Sequence, residues 1–495
     1  MIIDKKLIYL FDKTIIGYKM NICLINPKRE EYSPNKWPPL GLLQIGAVLE
    51  NNGENVKLID LTLREMTDYK LKEELISGKF VIVGLTGFIT DYDEVIRLSK
   101  IVKKNLPKAI IILGGPISIV FPEKILKNSP INIIVKNEGE VTTKNLVEVI
   151  KKHGNLRQVK GIVYKDEKGL IVNNKNRPLI KDLDKLPFPA RHLLRMDKYI
   201  SNYFSPLNIK QDVFKMIRAT SMITSRGCPY NCIFCYKDLW GFKWRGTSAR
   251  KIVDEIKLLI KKYNINAIFF IDDTFILNRK RVYELCNLLL KENIKIIWGC
   301  NGRVNLVDYD LLKKMYHAGC RRITFGFESG SQRILNLIRK GTTTEQAKMA
   351  VKYCKEIGIS VGGYFMIGML NEIKKDIEET IKFAKALDID FYNFSITCPM
   401  PGTALYSMTL EQHKNLPSFN DWNFNVNVNL TSDISDEELI KYQKYFFMEF
   451  TIKRIYGKYF FVNPKFLKEI SKLVLTVKSF EEFKKLIKKF LGVIN

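Results

Sequence analysis

No run of about 18 uninterrupted apolar residues occurs anywhere in this 495-residue sequence, so no ordinary membrane-spanning helix is expected. The nearest stretch, Ala109 to Phe121, is short and interrupted by Gly114, Gly115 and Pro116. The opening segment carries Asp4, Lys5, Lys6, Asp12 and Lys13 and no small-residue cleavage site, which excludes a secretory signal and predicts a cytoplasmic location. Met20 stands directly before the strand pattern Asn21-Ile22-Cys23-Leu24-Ile25, so residues 1–20 read as an N-terminal extension. Histidine is scarce, with only His153, His192, His317 and His413, and no Asp-x-His-x-x-Gly occurs. No repeat at a solenoid period is found. Nine cysteines, an odd number in a long cytoplasmic chain, argue against a disulfide framework and toward metal ligation or buried thiols.

Acidic residues are in deficit. Lys+Arg 80 against Asp+Glu 52 leaves a net charge of +28, a balance that suits nucleic acid, anionic lipid or an acidic substrate. The lysines lie along the whole chain among many Ile and Asn, so base-composition bias is preferred over a nucleic-acid footprint. A 46% hydrophobic, 27% charged composition excludes a disordered or collagenous chain. At ~100–200 residues per domain the length predicts two to four domains.

From Asn21 to about Ile150, short apolar runs alternate with helical patterns: strands at 21–26, 56–60, 80–85, 109–113 and 131–135, helices at 40–52 and 92–105. Such alternation predicts an α/β, doubly wound (Rossmann-like) parallel sheet across residues 21–155. Glycines fall at its strand ends, where these folds bind ligands. Residues 156–215, with the hairpin-like Gly161-Ile162-Val163-Tyr164 and the Leu186-Pro187-Phe188-Pro189 stretch, read as a connector. A second alternating series occupies 216–410, with strands near 221–225, 267–271, 294–299, 322–327, 360–367 and 391–397. Six strand–helix units predict a partial (β/α)6 barrel with its chemistry at the carboxyl ends of the strands. Residues 411–495 read as a helical C-terminal region. Near its end, Phe480, Phe483, Ile487, Phe490 and Leu491 face one side against Lys484, Lys485, Lys488 and Lys489. That stripe either packs a terminal helix on its domain or lies peripherally on an anionic membrane.

The sharpest feature is Cys228-Pro229-Tyr230-Asn231-Cys232-Ile233-Phe234-Cys235, directly after the first strand of the second series. Three thiolates in one tight loop can ligate three irons of a cubane cluster and leave the fourth open for reaction. A closed zinc site wants a fourth protein ligand, and no histidine or further cysteine is near in sequence. The C-x-x-x-C-x-x-C spacing with an aromatic before the third cysteine resembles the signature of the radical S-adenosylmethionine (SAM) superfamily. The resemblance implies that Cys228, Cys232 and Cys235 hold a 4Fe-4S cluster, that SAM chelates the open iron, and that the reduced cluster cleaves it to methionine and a 5'-deoxyadenosyl radical. It also makes Phe234 a contact to the adenine ring.

Other strand ends of the second series fit this chemistry. Asp272-Asp273 closes the second strand, Arg303 comes after the third, and Gly326-Phe327-Glu328-Ser329-Gly330 closes the fourth. Carboxylates there can accept hydrogen bonds from the SAM amino group or ribose, and a guanidinium can pair its carboxylate, so Asp273, Arg303 and Glu328 are the candidate SAM contacts. Asp273 or Asn278 can equally serve as a helix cap. Cys23, Cys286, Cys300, Cys320 and Cys354 read as buried hydrophobes, while Cys398 ends the sixth strand, where a barrel presents residues to substrate.

A glycine-rich parallel sheet ahead of such a barrel resembles the cobalamin-binding radical SAM family, which includes the anaerobic magnesium-protoporphyrin ester cyclase and carbon and phosphorus methyltransferases. The carriers are Pro38-Pro39-Leu40-Gly41-Leu42, Thr86-Gly87, Gly114-Gly115-Pro116, Glu138-Gly139-Glu140, the cysteine loop and Gly326 to Gly330. The resemblance implies a cobalamin tail slot lined by Thr86 and Gly87 in one turn and Gly114 and Gly115 in a later one, with no histidine on cobalt. Two departures stand out: Asn137-Glu138-Gly139-Glu140 replaces the usual Gly-Glu-Gly-Glu, and Gly368-Met369-Leu370-Asn371-Glu372 replaces Gly-Leu-Pro-x-Glu. The tRNA methylthiotransferases would need three more cysteines in the first domain, which has only Cys23.

The function this resemblance implies is methylation of an unactivated carbon. One SAM yields the radical that abstracts a substrate hydrogen, the substrate radical takes the methyl group from methylcobalamin, and a second SAM remethylates the cobalt. A small-molecule or lipid substrate and an electron-donating reductase or ferredoxin are the expected partners. The alternatives are oxidative cyclisation or rearrangement without methyl transfer, and, from another class, an iron-sulfur protein that binds nucleic acid or carries electrons.

Overall fold

The structure, a computed structural model, describes residues 19–28, 37–63, 66–200, 217–412, 430–431 and 433–452. All but the last two residues of the 1–20 extension, and the basic stripe at 480–491, lie outside the described residues. Two compact units divide the described residues: the first holds those up to Pro229 and Tyr236–Asp273, the second holds Tyr230–Cys235 and those from Thr274 onward.

The first unit is built on β1 (Asn21–Asn26), β2 (Asn55–Asp60), β3 (Ile82–Thr86), β4 (Ile110–Gly114) and β5 (Ile133–Val135). These five are parallel in the order β2-β1-β3-β4-β5. Central strands of such a sheet are covered on both faces and so read as continuous apolar runs rather than alternating ones. In β4 the residues Ile110, Ile111, Ile112 and Leu113 are all buried. Helices 40–51 and 139–151 pack Leu43, Leu49, Leu146 and Val147 onto one face, against Ile22, Leu24, Ile82 and Ile112.

The stretch read as a connector also contributes to this sheet. Strands β6 (Ile162–Lys165) and β7 (Ile171–Asn173) extend it past β5, and both pair antiparallel. A hairpin joined by the tight turn at Asp166–Gly169 can only enter antiparallel to itself, and at the sheet edge it covers backbone groups that β5 would otherwise expose.

Two further strands, β8 (Ala219–Met222) and β11 (Ala267–Phe270), pair in parallel within the first unit, and a short antiparallel pair, β9 (Ser225–Arg226) and β10 (Arg245–Gly246), lies between them in the chain. Helix 249–263 connects β10 to β11. Ser248 caps its start through Lys251 N–H, Asn264 closes it in the left-handed conformation, and Ile252, Val253, Ile256 and Leu259 form its buried stripe, as the helical spacing predicts. In the second unit, β12 (Ile297–Gly302), β13 (Cys320–Glu328), β14 (Ser360–Ile367) and β15 (Phe391–Ile396) form a parallel ladder in chain order, with helices 309–317, 344–357 and 374–387 in the connections. Cys286, Cys300, Cys320 and Cys354 are buried, the packing role their helix and strand positions suggest. Asn278, not Asp273, caps helix 279–291 by accepting from Arg281 N–H.

Candidate active site

In the first sheet the chain runs from β1 outward to β2, then crosses back to β3 on the other side of β1. A crevice opens beyond the carboxyl ends of the strands where the order reverses. A cavity of about 400 Å³ occupies that place, with Leu24 and Asn26 of β1, Thr86 and Gly87 at the end of β3, and Gly114 and Gly115 at the end of β4 in its wall. Gly115 sits at φ +82°, and a Cβ there would come 2.5 Å from Thr86 Oγ1 and 3.1 Å from the Gly87 carbonyl. Only glycine brings the two turns this close. A Cβ on Gly114 would meet nothing within 4 Å, so the missing side chain there is open space in the cavity wall. Asn26 is fixed beside it by donating to Asp60 (2.8 Å), which also accepts from Tyr199 Oη (2.5 Å). A narrow, largely apolar slot with a bare glycine edge and a hydroxyl fits the tail of a large cofactor such as cobalamin. No histidine lines it among the described residues.

Still within the first unit, the segment after β8 is held by Asp272. Its carboxylate accepts from Thr224 N (2.9 Å) and Ser225 Oγ (2.6 Å), and Thr224 Oγ1 lies 3.1 Å from its second oxygen. Asp272 is fully buried and committed to this loop. Asp273 beside it turns outward, and the protein around it together with the Asp272 charge pushes its carboxyl above the usual carboxylate range.

In the second unit Cys232 is buried, and Ile233 anchors its loop by donating to the Ile338 carbonyl (3.1 Å) while accepting from Leu405 N–H (2.9 Å). The Arg303 guanidinium stacks on the Tyr230 ring at 3.5 Å, donates to Cys232 Sγ (3.7 Å) and is braced by the Lys340 carbonyl. The hydrogen bond between the two cysteines lowers the Cys232 thiol and raises that of Cys235, and the positive charges of Lys340 and Arg303 lower Cys232 further against its burial. A cysteine held as thiolate is the form that ligates iron. The site therefore fits an iron-sulfur cluster. Among the described residues no group of three or more His, Cys, Asp or Glu side chains is placed to hold a single metal ion.

Glu328 lies at the end of β13, where the ladder to β14 shifts register between Gly326 and Glu328. It adopts φ +65°, a conformation that costs a non-glycine residue of order 1–3 kcal/mol and clusters at functional sites. Its carboxylate is buried and ion-paired with Lys340 Nζ at 2.7 Å. A Cβ on Gly326 would press against Glu328 Oε1 and lie 2.8 Å from Lys340 Nζ, so the glycine leaves room for this ion pair.

A Radical SAM superfamily model matches residues 222–384 and a B12 binding domain model matches residues 31–147. An uncharacterized methyltransferase of Pyrococcus horikoshii is 36% identical over 375 residues, covering 75% of this chain and 78% of the relative. The chain belongs to the cobalamin-binding radical SAM family. Another member of this family, the anaerobic magnesium-protoporphyrin IX monomethyl ester cyclase of Rubrivivax gelatinosus, is 30% identical over 380 residues, 75% of this chain and 66% of the cyclase. Among solved structures, the cobalamin-dependent SAM radical enzyme OxsB with aqua-cobalamin and SAM bound matches with TM-score 0.70 at 22% identity, over 96% of this chain and 75% of that one. The methyltransferase TsrM of Kitasatospora setae, with cobalamin and a 4Fe-4S cluster bound, matches with TM-score 0.66 at 20% identity, over 80% and 75% of the two chains. These likenesses show the fold: a cobalamin-binding α/β domain followed by a curled parallel sheet, the partial barrel expected from the sequence.

In this cobalamin-binding radical SAM chain, the four residues named for the cobalamin slot, Thr86, Gly87, Gly114 and Gly115, line one cavity. Arg303 and Cys232 are in contact, and Phe234 is half-buried. Sequence reasoning missed Lys340, the partner of Glu328, and Tyr230, the platform under Arg303. Tyr230 was within reach, since it stands inside the cysteine motif. Nothing in the local pattern of Arg339-Lys340-Gly341 distinguishes Lys340 from the chain's other lysines.

Proposed function

We propose that this chain transfers a methyl group to an unactivated carbon of a small-molecule or lipid substrate. In this reading Cys228, Cys232 and Cys235 hold the 4Fe-4S cluster, and Thr86, Gly87, Gly114 and Gly115 cradle the cobalamin tail. Bound there, cluster and SAM supply a hydrogen-abstracting radical and cobalamin supplies the methyl group. The protein's own share is binding and charge control. Arg303 and Lys340 offset the negative charge of the Cys232 thiolate, and Arg303 offers a guanidinium to the SAM carboxylate. Glu328 and Asp273 offer carboxylate oxygens to the SAM amino group and ribose, with Glu328 kept in place by Lys340, and Phe234 offers its ring to the adenine. An electron donor, a reductase or ferredoxin, completes the requirement.

The observation that carries this reading is the pairing, in one chain, of a three-cysteine loop whose Cys232 Sγ accepts from the buried Arg303 guanidinium with a glycine-edged cavity at the switch point of the first sheet. Anaerobic reconstitution followed by mass spectrometry tests it. The expected result is formation of 5'-deoxyadenosine and a product heavier by one methyl group, both lost when Cys228, Cys232 and Cys235 are changed together to Ala. A product without added methyl assigns the chain to cyclisation or rearrangement, and absence of 5'-deoxyadenosine overturns the enzyme reading altogether.

A further inference from the structure

The acidic turn Asn137-Glu138-Gly139-Glu140 has no part in the chemistry above, yet its two carboxylates are among the most heavily engaged groups in the first unit. Glu138 precedes helix 139–151, and its side chain is 3% exposed. One of its oxygens accepts from Arg226 (2.9 Å) and Arg245 (2.8 Å), the other from Arg245 (2.9 Å) and Ile180 N–H (2.6 Å). Glu140, also buried, takes a second nitrogen of Arg226. The two arginines are the paired ends of β9 and β10. Arg226 stands two residues before Cys228, separated from it by Gly227 at φ +81°. Arg245 ends the segment after Cys235 and braces it by donating to the Trp240 carbonyl (2.9 Å). Asn137 holds the same segment through the Asp238 carbonyl (2.5 Å). Glu138, Glu140, Arg226 and Trp240 also form part of the cavity wall.

We propose that Glu138 and Glu140 are positioning residues for the iron-sulfur cluster loop, acting through Arg226 on its upstream flank and through Arg245 on its downstream flank. This rests on the assignment of the cysteines to a cluster but not on cobalamin being bound. Buried ion pairs add little net stability when their desolvation is counted, whereas Arg226, with one nitrogen on Glu138 and the other on Glu140, has its guanidinium held at both ends by charge-assisted hydrogen bonds. An upstream flank released from Glu140 keeps its cysteines but loses their fixed approach to the irons.

The test uses the reconstituted full chain carrying Glu140→Gln, Arg226→Gln, or both, with iron release to a chelator and the electron paramagnetic resonance spectrum of the reduced cluster as readouts. Each single variant is expected to assemble the cluster but release iron at least about fivefold faster and show a broadened spectrum. The double variant should be no worse than Arg226→Gln alone, because both changes cut one path. Multiplying effects in the double variant, or wild-type release and spectrum in Glu140→Gln, would overturn the proposal. Thermal unfolding of the cluster-free proteins separates positioning from bulk stability: losses of iron that scale with a lowered melting temperature would assign the carboxylates to stability alone. Failure of the wild-type chain to assemble any cluster would overturn the cysteine assignment and this proposal with it, an outcome distinct from wild-type assembly with unaffected variants.

Discussion

Neighbouring glycines at the end of β4 allow the cobalamin slot to be tested apart from the fold. Gly114→Ala places a methyl group where nothing lies within 4 Å, at a backbone conformation that any residue adopts, so folding should change by less than about 0.5 kcal/mol, the usual range for a change that touches nothing. The same methyl intrudes on the slot. Overfilling a packed site costs roughly 1–3 kcal/mol, and at 1.4 kcal/mol per tenfold this weakens cobalamin binding by roughly 5- to 150-fold. Gly115→Ala should behave in the opposite sense. Its Cβ would sit 2.5 Å from Thr86 Oγ1 at φ +82°, and left-handed strain alone costs about 1–3 kcal/mol. At ~2–4 °C per kcal/mol for a unit of this size, its melting temperature should fall by roughly 2–12 °C. Differential scanning calorimetry of the apo-proteins and absorbance titration with hydroxocobalamin measure the two quantities. Unchanged cobalamin affinity in Gly114→Ala, with wild-type stability, would refute the placement of the cofactor against that edge.

Three further outcomes concern the second unit. Lys340→Met leaves the Glu328 carboxylate buried without its 2.7 Å partner and should cost ~3–5 kcal/mol of stability, while Glu328→Gln should be milder for folding but weaken SAM binding by ~1–3 kcal/mol; equal stability of Lys340→Met and wild type in urea would contradict the pairing. Burial raises the carboxyl of Glu372 from 4.5 to about 7, against the lowering effect of the Gly368 and Met369 N–H groups. The unfolded chain therefore ionises first, so stability is highest below about pH 4.5 as far as this group is concerned and is lost as pH rises toward 7, by roughly 3 kcal/mol in all. Glu372→Gln should flatten that part of the pH–stability curve, and an unchanged slope between pH 5 and 7 would remove Glu372 as its source.

What the sequence alone determined were features whose cause is local. The cysteine spacing is set within eight residues, and the apolar run of β4 reports burial on both faces without reference to a partner. The alternating pattern gave the α/β class for the same reason, since each strand and helix carries its own period. The hairpin at 162–173 was visible as a hairpin, but its membership in the first sheet was not, because nothing within it names the strand it joins.

Tertiary structure decided the charges. Glu138 meets Arg245 across 107 positions and Arg303 meets Cys232 across 71, and no periodicity links residues so far apart. In a chain with 80 basic residues, Arg303 was legible from its place after a strand, while Lys340 and Arg245 stand out only once burial and a carboxylate partner are seen together. Lys340 and Arg245 are 7% exposed in their side chains, in surroundings where an unpartnered charge would be too costly to keep. The fold selects them by removing water, which the sequence does not encode at any one position.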